Sequence, residues 1–366
     1  MSKDNTVYIG KNKNFWDRNR RSGGYLLKRR IGSITVSVIR ALLLFGLCFM
    51  IIQPILTRFS IGFMEERDLY DSTIVLLPRH VTLDNYRIVA DLTDFPRSMI
   101  NTLWVSLLIS VCQIVSCTLV AYGFARFSFP GKKIWFGCVV ALIIIPPQTI
   151  QSALYMNFAN FDILRIFTLF GVNAEGLTFG QRLLSVIDGT GTGLIWMLTG
   201  KTLNLRANIS AYIIMSLTCM GLKNGLYIYM MKQYFEGVPM SLEEAAYVDG
   251  CGTMHTFVKI MLPDAVPTIA SCFLFSFVWQ WTDIFYTRLF LPATNISIFS
   301  NQMSTMVSRM ARYFSKDANN AVIVPNGRQQ QLIAIAVLIC SIPLVILYIF
   351  TQRTFTESLV MSGSKE

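Results

Sequence analysis

Six long apolar runs constrain this chain more than any other feature. They cover about 34–57, 98–124, 134–153, 209–231, 265–289 and 330–351. A run of about 18 or more apolar residues reads as a membrane-spanning helix, because a hydrocarbon core of about 30 Å needs about 20 residues at 1.5 Å rise. Charged residues make up 14% of the 366, against about 25% in soluble domains. The deficit is concentrated in those runs. The expected fold is an all-α membrane protein with six transmembrane helices.

Charge placement orients it. The tail 1–33 carries Lys3, Lys11, Lys13, Arg18, Arg20, Arg21, Lys28, Arg29 and Arg30 against Asp4 and Asp17. Positive residues flanking a span hold that side in the cytoplasm, and an even number of spans brings the C-terminal tail, 352–366, to the same side. The second-to-third connection (RFSFPGKK, with Arg126, Lys132 and Lys133) and the fourth-to-fifth connection are then cytoplasmic. The net charge of +11 reads as topogenic, and no nucleic-acid partner is expected. The basic region is too long for a cleaved signal peptide, and no small-residue cleavage site follows the apolar run. Three segments face outward, about 58–97, 154–208 and 290–329. The chain thus divides into the tail 1–33, a first helix with its outer segment (34–97), a core (98–351) and the tail 352–366.

Several kinds of chemistry are disfavoured. Of eight cysteines, all but Cys251 lie in apolar stretches and none form CxxC pairs, so no metal or redox motif is expected. The stretch ending Gly200-Lys201-Thr202 imitates a phosphate-binding loop, but Ile195 stands where that pattern needs its first glycine. Ionisable side chains are almost absent from the spans, and the one singled out is Asp283, late in the fifth run, with Arg288 near its outer end. A carrier coupled to an ion gradient needs buried carboxylates along its path, so the driving energy is expected from elsewhere. No cofactor is expected in this chain, and it is not expected to be an enzyme.

The densest polar window is PMSLEEAAYVDGCGTMHTFVKIMLPDAVP, from Pro239 to Pro267. Pro239 suits a helix's first turn, and Glu243 and Glu244 follow near its positive end. Ala245 and Ala246 favour helix, while Gly250 and Gly252 supply a stop and turn. A second short helix is expected from Thr253 to Leu262, ended by Pro263. Glu244 and Asp249 lie roughly 140° apart around a helix, and His255 lies beyond a glycine break. That geometry is poor for a metal or catalytic site.

The spacing Glu244-Ala245-Ala246, three residues, Gly250, nine residues, Ile260-Met261-Leu262-Pro263 resembles the EAA-x3-G-x9-I-x-L-P signature of ABC importer permeases. These are the inner membrane components of binding-protein-dependent transport systems. Glu243 and Asp249 are similar to the signature's usual neighbours. NTLWVSLL (101–108), AYGFARFSFPGKK (121–133), VWQWTD (278–283, Thr282 in place of the family's Asn) and the C-terminal QRTFTESLVMSGSKE resemble landmarks of the carbohydrate-uptake branch.

The resemblance implies a type I ABC importer permease fold in a prokaryotic cell membrane, with the coupling loop at 236–263. It implies a second, homologous permease subunit, two cytoplasmic ATPase subunits that bind the ATP and magnesium, and an extracellular solute-binding protein. Glu244 would make a polar contact with the ATPase or the neighbouring loop. Gly250 would permit a sharp turn and close packing, and Leu262 and Pro263 would set where the next span begins. The solute would be a sugar or oligosaccharide, or, on the same architecture, a peptide or glycerophosphodiester.

Trp279, Trp281, Asp283, Phe285 and Tyr286 follow one another in the fifth run. Aromatic faces with a carboxylate suit a polyhydroxylated ligand, and Trp and Tyr equally form belts at membrane interfaces. Both readings stay open, with Asp283 the residue least like a belt. The outer insertion, about 157–208, departs from the family. FDILRIFTLF and LTFGQRLLSVID within it have amphipathic faces, suiting either a cover over the spans or a docking surface for the binding protein.

Overall fold

The computed structural model describes residues 23–74, 76–159, 161, 181, 205, 208–291, 296–315 and 322–363. Residues 1–22 of the expected tail 1–33, most of the insertion's two amphipathic segments, and 364–366 lie outside them. The chain divides into two units at Val81 and Thr82.

The first unit is dominated by α1, Tyr25–Phe63. It overruns the expected 34–57 at both ends. Its side chains are exposed along nearly its whole length, which suits a helix surrounded by hydrocarbon. Beyond it, Met64 pairs with Val81 in an isolated bridge, and Asp68 clips the returning segment. The Asp68 carboxylate accepts the N–H groups of Arg79 and His80 at 2.9 and 2.7 Å and lies 2.7 Å from His80 Nδ1.

The second unit is built on α3, Arg97–Arg126, which follows a short amphipathic α2, Asp84–Thr93. Its buried face carries small polar residues at helical spacing, among them Ser98, Thr102, Ser106, Ser110 and Ser116. Small residues let membrane helices approach closely. Onto α3 pack α6 (Ile209–Leu217), α7 (Asn224–Gly237) and α10 (Val266–Trp281). The last helix, Asn326–Gly363, packs on α10 and α2 and continues past its expected end at 351.

The third, fourth and fifth expected spans are not single rods. The third is α4 (Lys132–Ile144), a 3₁₀ turn (Pro147–Ile150) and α5 (Gln151–Ala159), bent by 102° at the Pro146-Pro147 pair. Consecutive prolines can neither donate the ladder bonds nor leave the preceding residue helical, and Ile145 is extended. The fourth breaks between α6 and α7 at 218–223, with Cys219 and Lys223 in the left-handed region (φ 59° and 63°). The fifth ends at Trp281, and a separate short helix, α11 (Phe285–Phe290), takes up the remainder.

A break inside a membrane bundle frees backbone groups that lipid cannot satisfy, and α3 supplies the partners. Gln113 Nε2 donates to the Leu222 carbonyl at 3.1 Å, and Ser116 Oγ to the Ser216 carbonyl at 2.8 Å. The loop comes so close that a Cβ on Gly221 would stand 2.6 Å from Gln113 Nε2, and one on Gly225 would stand 2.7 Å from the Val139 carbonyl oxygen. Only glycine fits such approaches without a shift.

Candidate functional site

The motif-bearing segment forms α8, Ser241–Val248, followed by α9, Thr253–Asp264. Glu243 and Glu244 occupy the first turn of α8, where the helix dipole favours carboxylates. Gly250 closes it at φ 83°. Cys251 N–H reaches back to the Ala246 carbonyl at 2.9 Å and Gly250 N–H to Tyr247 at 3.0 Å. This left-handed closure satisfies the helix's last carbonyls. A Cβ there would meet nothing within 4 Å, so within this chain Gly250 supplies the turn and not close packing.

Pro263 does not end α9 as expected. The five residues Phe257–Met261 adopt a wider π turn, and the helix runs on through Pro263 to Asp264. The wider register eases the clash between a proline ring and the carbonyl four residues earlier. Ala265 then makes the 74° bend into α10. Ile260 and Leu262 are half-buried, and Leu262 packs against the core.

The two carboxylates of α8 part company. Glu244 is exposed, whereas Glu243 is buried and its Oε1 lies 2.8 Å from Nε of Arg126 at the end of α3. Arg126 also donates to the Val238 carbonyl at 2.9 Å. Within this chain, the contact from α8 to a neighbouring segment is made by Glu243. Ala246 is buried with it, while Ala245 and Asp249 are exposed. The outward face also carries Leu242, Tyr247, Val248, Met254 and Val258, with Val248 88% exposed.

The three helix breaks converge on a cavity of about 580 Å³. Its wall takes Ile143–Gln148 from the α4 break, Met220–Lys223 from the α6–α7 break, and Trp279 with Thr282–Tyr286 from the end of α10. Trp279, Asp283 and Tyr286 are thus brought together. Trp281 is not: it is buried, packs on Phe277 and donates from Nε1 to the Cys340 carbonyl at 3.0 Å.

Asp283 has a local structural task. Its carboxylate accepts N–H groups of Phe285, Tyr286 and Thr287 at 3.2, 3.4 and 2.8 Å, capping α11, and Tyr212 Oη lies 3.4 Å away. Tyr212 in turn donates to Gln280, whose Nε2 reaches Gln113 Oε1 at 3.1 Å, where Ser276 also donates at 2.6 Å. A buried network of uncharged side chains therefore ties α3, α6 and α10 behind the cavity.

The family model for the binding-protein-dependent transport system inner membrane component matches residues 114–359, more than half of the chain. The chain belongs to that family. The alpha-glucoside transport system permease protein of Rhizobium meliloti is 29% identical over 59% of this chain, and the match spans 46% of that protein's own length. The arabinooligosaccharides transport system permease protein of Halalkalibacterium halodurans is 22% identical over 87% of this chain and 93% of its own. In fold, the chain is similar to a solved bacterial ABC transporter involved in the import of the acidic polysaccharide alginate. There the TM-score is 0.58 at 17% identity, over 88% of this chain and 97% of that one. The family and these relatives are transport components, and this inner membrane component is an all-α, multi-pass membrane protein.

Lys223 is the site residue that sequence reasoning passed over. It stands inside the expected fourth span, as Arg40 stands inside the first, so hydropathy alone could have flagged it. Its Nζ lies 5.0 Å from the ring centroid of Trp279 at the cavity wall. Arg126 was also visible, but it reads from sequence as a topogenic charge and not as the partner of Glu243.

Proposed function

We propose that this inner membrane component is one permease subunit of an ATP-driven importer for a sugar or oligosaccharide. The observation that carries the reading is the outward face of α8 and α9: an exposed apolar patch with Glu244 and Asp249 at its edge, on a helix anchored from behind by Arg126 and Glu243. Exposed apolar patches rimmed by polar residues mark protein contacts. This one is the surface on which a cytoplasmic ATPase subunit docks, and two such subunits bind the ATP and magnesium. Ile260, Leu262 and Pro263 pass the movement through the bend at Ala265 into α10.

Six spans with both termini in the cytoplasm complete the topology, the bent third and fifth and the broken fourth each counting once. A homologous second permease closes the path, and an extracellular binding protein delivers the solute. The cavity walled by Trp279, Asp283 and Tyr286 belongs to this chain's half of the path, with Trp281 as its support. Relatives named for alpha-glucoside and arabinooligosaccharide transport support a carbohydrate.

The test is co-purification and uptake. Glu244→Lys and Val248→Glu, made separately in the tagged full chain, are expected to abolish uptake and lose the co-eluting ATPase while membrane insertion persists. Normal ATPase recovery in both variants removes the docking assignment.

A further inference from the structure

We infer that the transported solute bears an anionic group, a carboxylate or phosphate on a sugar, received by Lys223 beside Trp279. This rests on the permease reading above and names its substrate class more narrowly.

Three observations meet at the cavity. First, its described lining holds one basic and one acidic side chain, Lys223 and Asp283. The Asp283 carboxylate is occupied by three backbone N–H groups of α11 and lies within reach of Tyr212. Among the described residues, the Lys223 ammonium makes no ion pair, and it lies over the Trp279 ring. A cation inside a membrane bundle is costly unless paired, and such residues mark solute paths. The ring's quadrupole compensates in part and leaves the ammonium's three N–H donors available.

Second, the backbone argues that the side chain itself is wanted. Lys223 sits at φ 63°, in a conformation where glycine or asparagine is at ease and lysine is strained. A turn serving only the chain reversal gains nothing from lysine there. Residues held in such conformations by their surroundings cluster at ligand sites. Here the surroundings are the Gln113 bond to Leu222 and the close fit of Gly221.

Third, the neighbouring features agree in sign and shape. Lys223 immediately precedes the first turn of α7, whose dipole adds positive potential. Trp279 is 45% exposed and offers a face on which the C–H side of a sugar ring can stack. A sugar lying on Trp279 brings an acidic substituent to Lys223, and the charge-assisted hydrogen bond replaces water lost on entry.

The experiment uses the complete importer in proteoliposomes and compares ATP-driven uptake of four labelled probes. They are a uronic-acid trisaccharide, its methyl ester, the neutral trisaccharide of the same linkage, and that trisaccharide carrying a phosphate. Wild type is expected to favour the acid over the ester by about tenfold or more, the scale of one charge-assisted hydrogen bond. In Lys223→Gln that ratio should fall toward one, and Lys223→Arg should keep most of it. Preference for the phosphate probe over the acid identifies the other source of the same charge. Equal uptake of acid, ester and neutral sugar by wild type, or an unchanged ratio in Lys223→Gln, overturns the anionic assignment while leaving a carbohydrate permease standing. Uptake of none of the four, with probe-independent ATP hydrolysis intact, overturns the carbohydrate reading and this inference together.

Discussion

The Nε of Arg126, at the end of α3, stands 2.8 Å from the Oε1 of Glu243 in α8, with the two side chains 7% and 4% exposed. The pair fixes the motif helix to the first long helix of the unit. Removing one partner strands a buried charge, which costs roughly 3–5 kcal/mol. Glu243→Ala and Arg126→Ala should each lower the thermal midpoint of the purified complex markedly. The double exchange Arg126→Glu with Glu243→Arg should recover part of the loss, and a cycle showing no coupling would refute the anchor.

Gly250 separates a backbone requirement from a packing one. At φ 83° with open space round it, a Cβ costs about 1–2 kcal/mol through strain alone. Gly250→Asn should therefore hold near-normal uptake, because asparagine tolerates the left-handed region, while Gly250→Val should lose most of it. Equal loss in both would point to a partner packed against this glycine.

The second glycine test concerns packing. At Gly225 an added methyl would press on the Val139 carbonyl and on Ile143 of α4, and overpacking costs typically 1–3 kcal/mol. Gly225→Ala should reduce the thermal stability of the complex, whereas Gly137→Ala, where a Cβ meets nothing within 4 Å, should leave it unchanged or raised.

The motif helix was legible in the sequence because its determinants are local: an acidic first turn, two alanines and a glycine stop, all within ten residues. Choosing between Glu243 and Glu244 was not, since the choice depends on Arg126, far earlier in the chain. The break at Pro146-Pro147 was written in the residues, yet the apolar run continues through it and masks it. The break at 218–223 has no proline. It is held by Gln113 and Ser116 of α3, and each of these reads singly as an ordinary polar residue in an apolar helix. Asp283 stood out as a charge in a span, but its capping role needed the end of α10 to be at Trp281 and not beyond.

Asp283 can be tested for that role directly. Replacing a capping carboxylate by alanine costs about 0.5–2 kcal/mol, while asparagine caps nearly as well. Asp283→Asn should keep the complex folded with stability close to wild type, and Asp283→Ala should lower it. Uptake lost in Asp283→Asn at undiminished stability would assign the negative charge itself to the solute path.

The clip at Asp68 carries a pH dependence. The side-chain hydrogen bond with His80, joined by the backbone N–H of His80, holds the Asp68 carboxyl below its ordinary value of 3.8. A carboxyl whose pKa is lower when folded binds protons more readily in the open chain. Its contribution is therefore complete above the ordinary value and is lost as pH falls through the folded one. Amide exchange across 64–81 should stay slow from neutral pH down to about 4 and accelerate below it. Asp68→Asn should show faster exchange already at neutral pH, with the acid-induced step gone. A step that persists in Asp68→Asn would place the responsible group elsewhere.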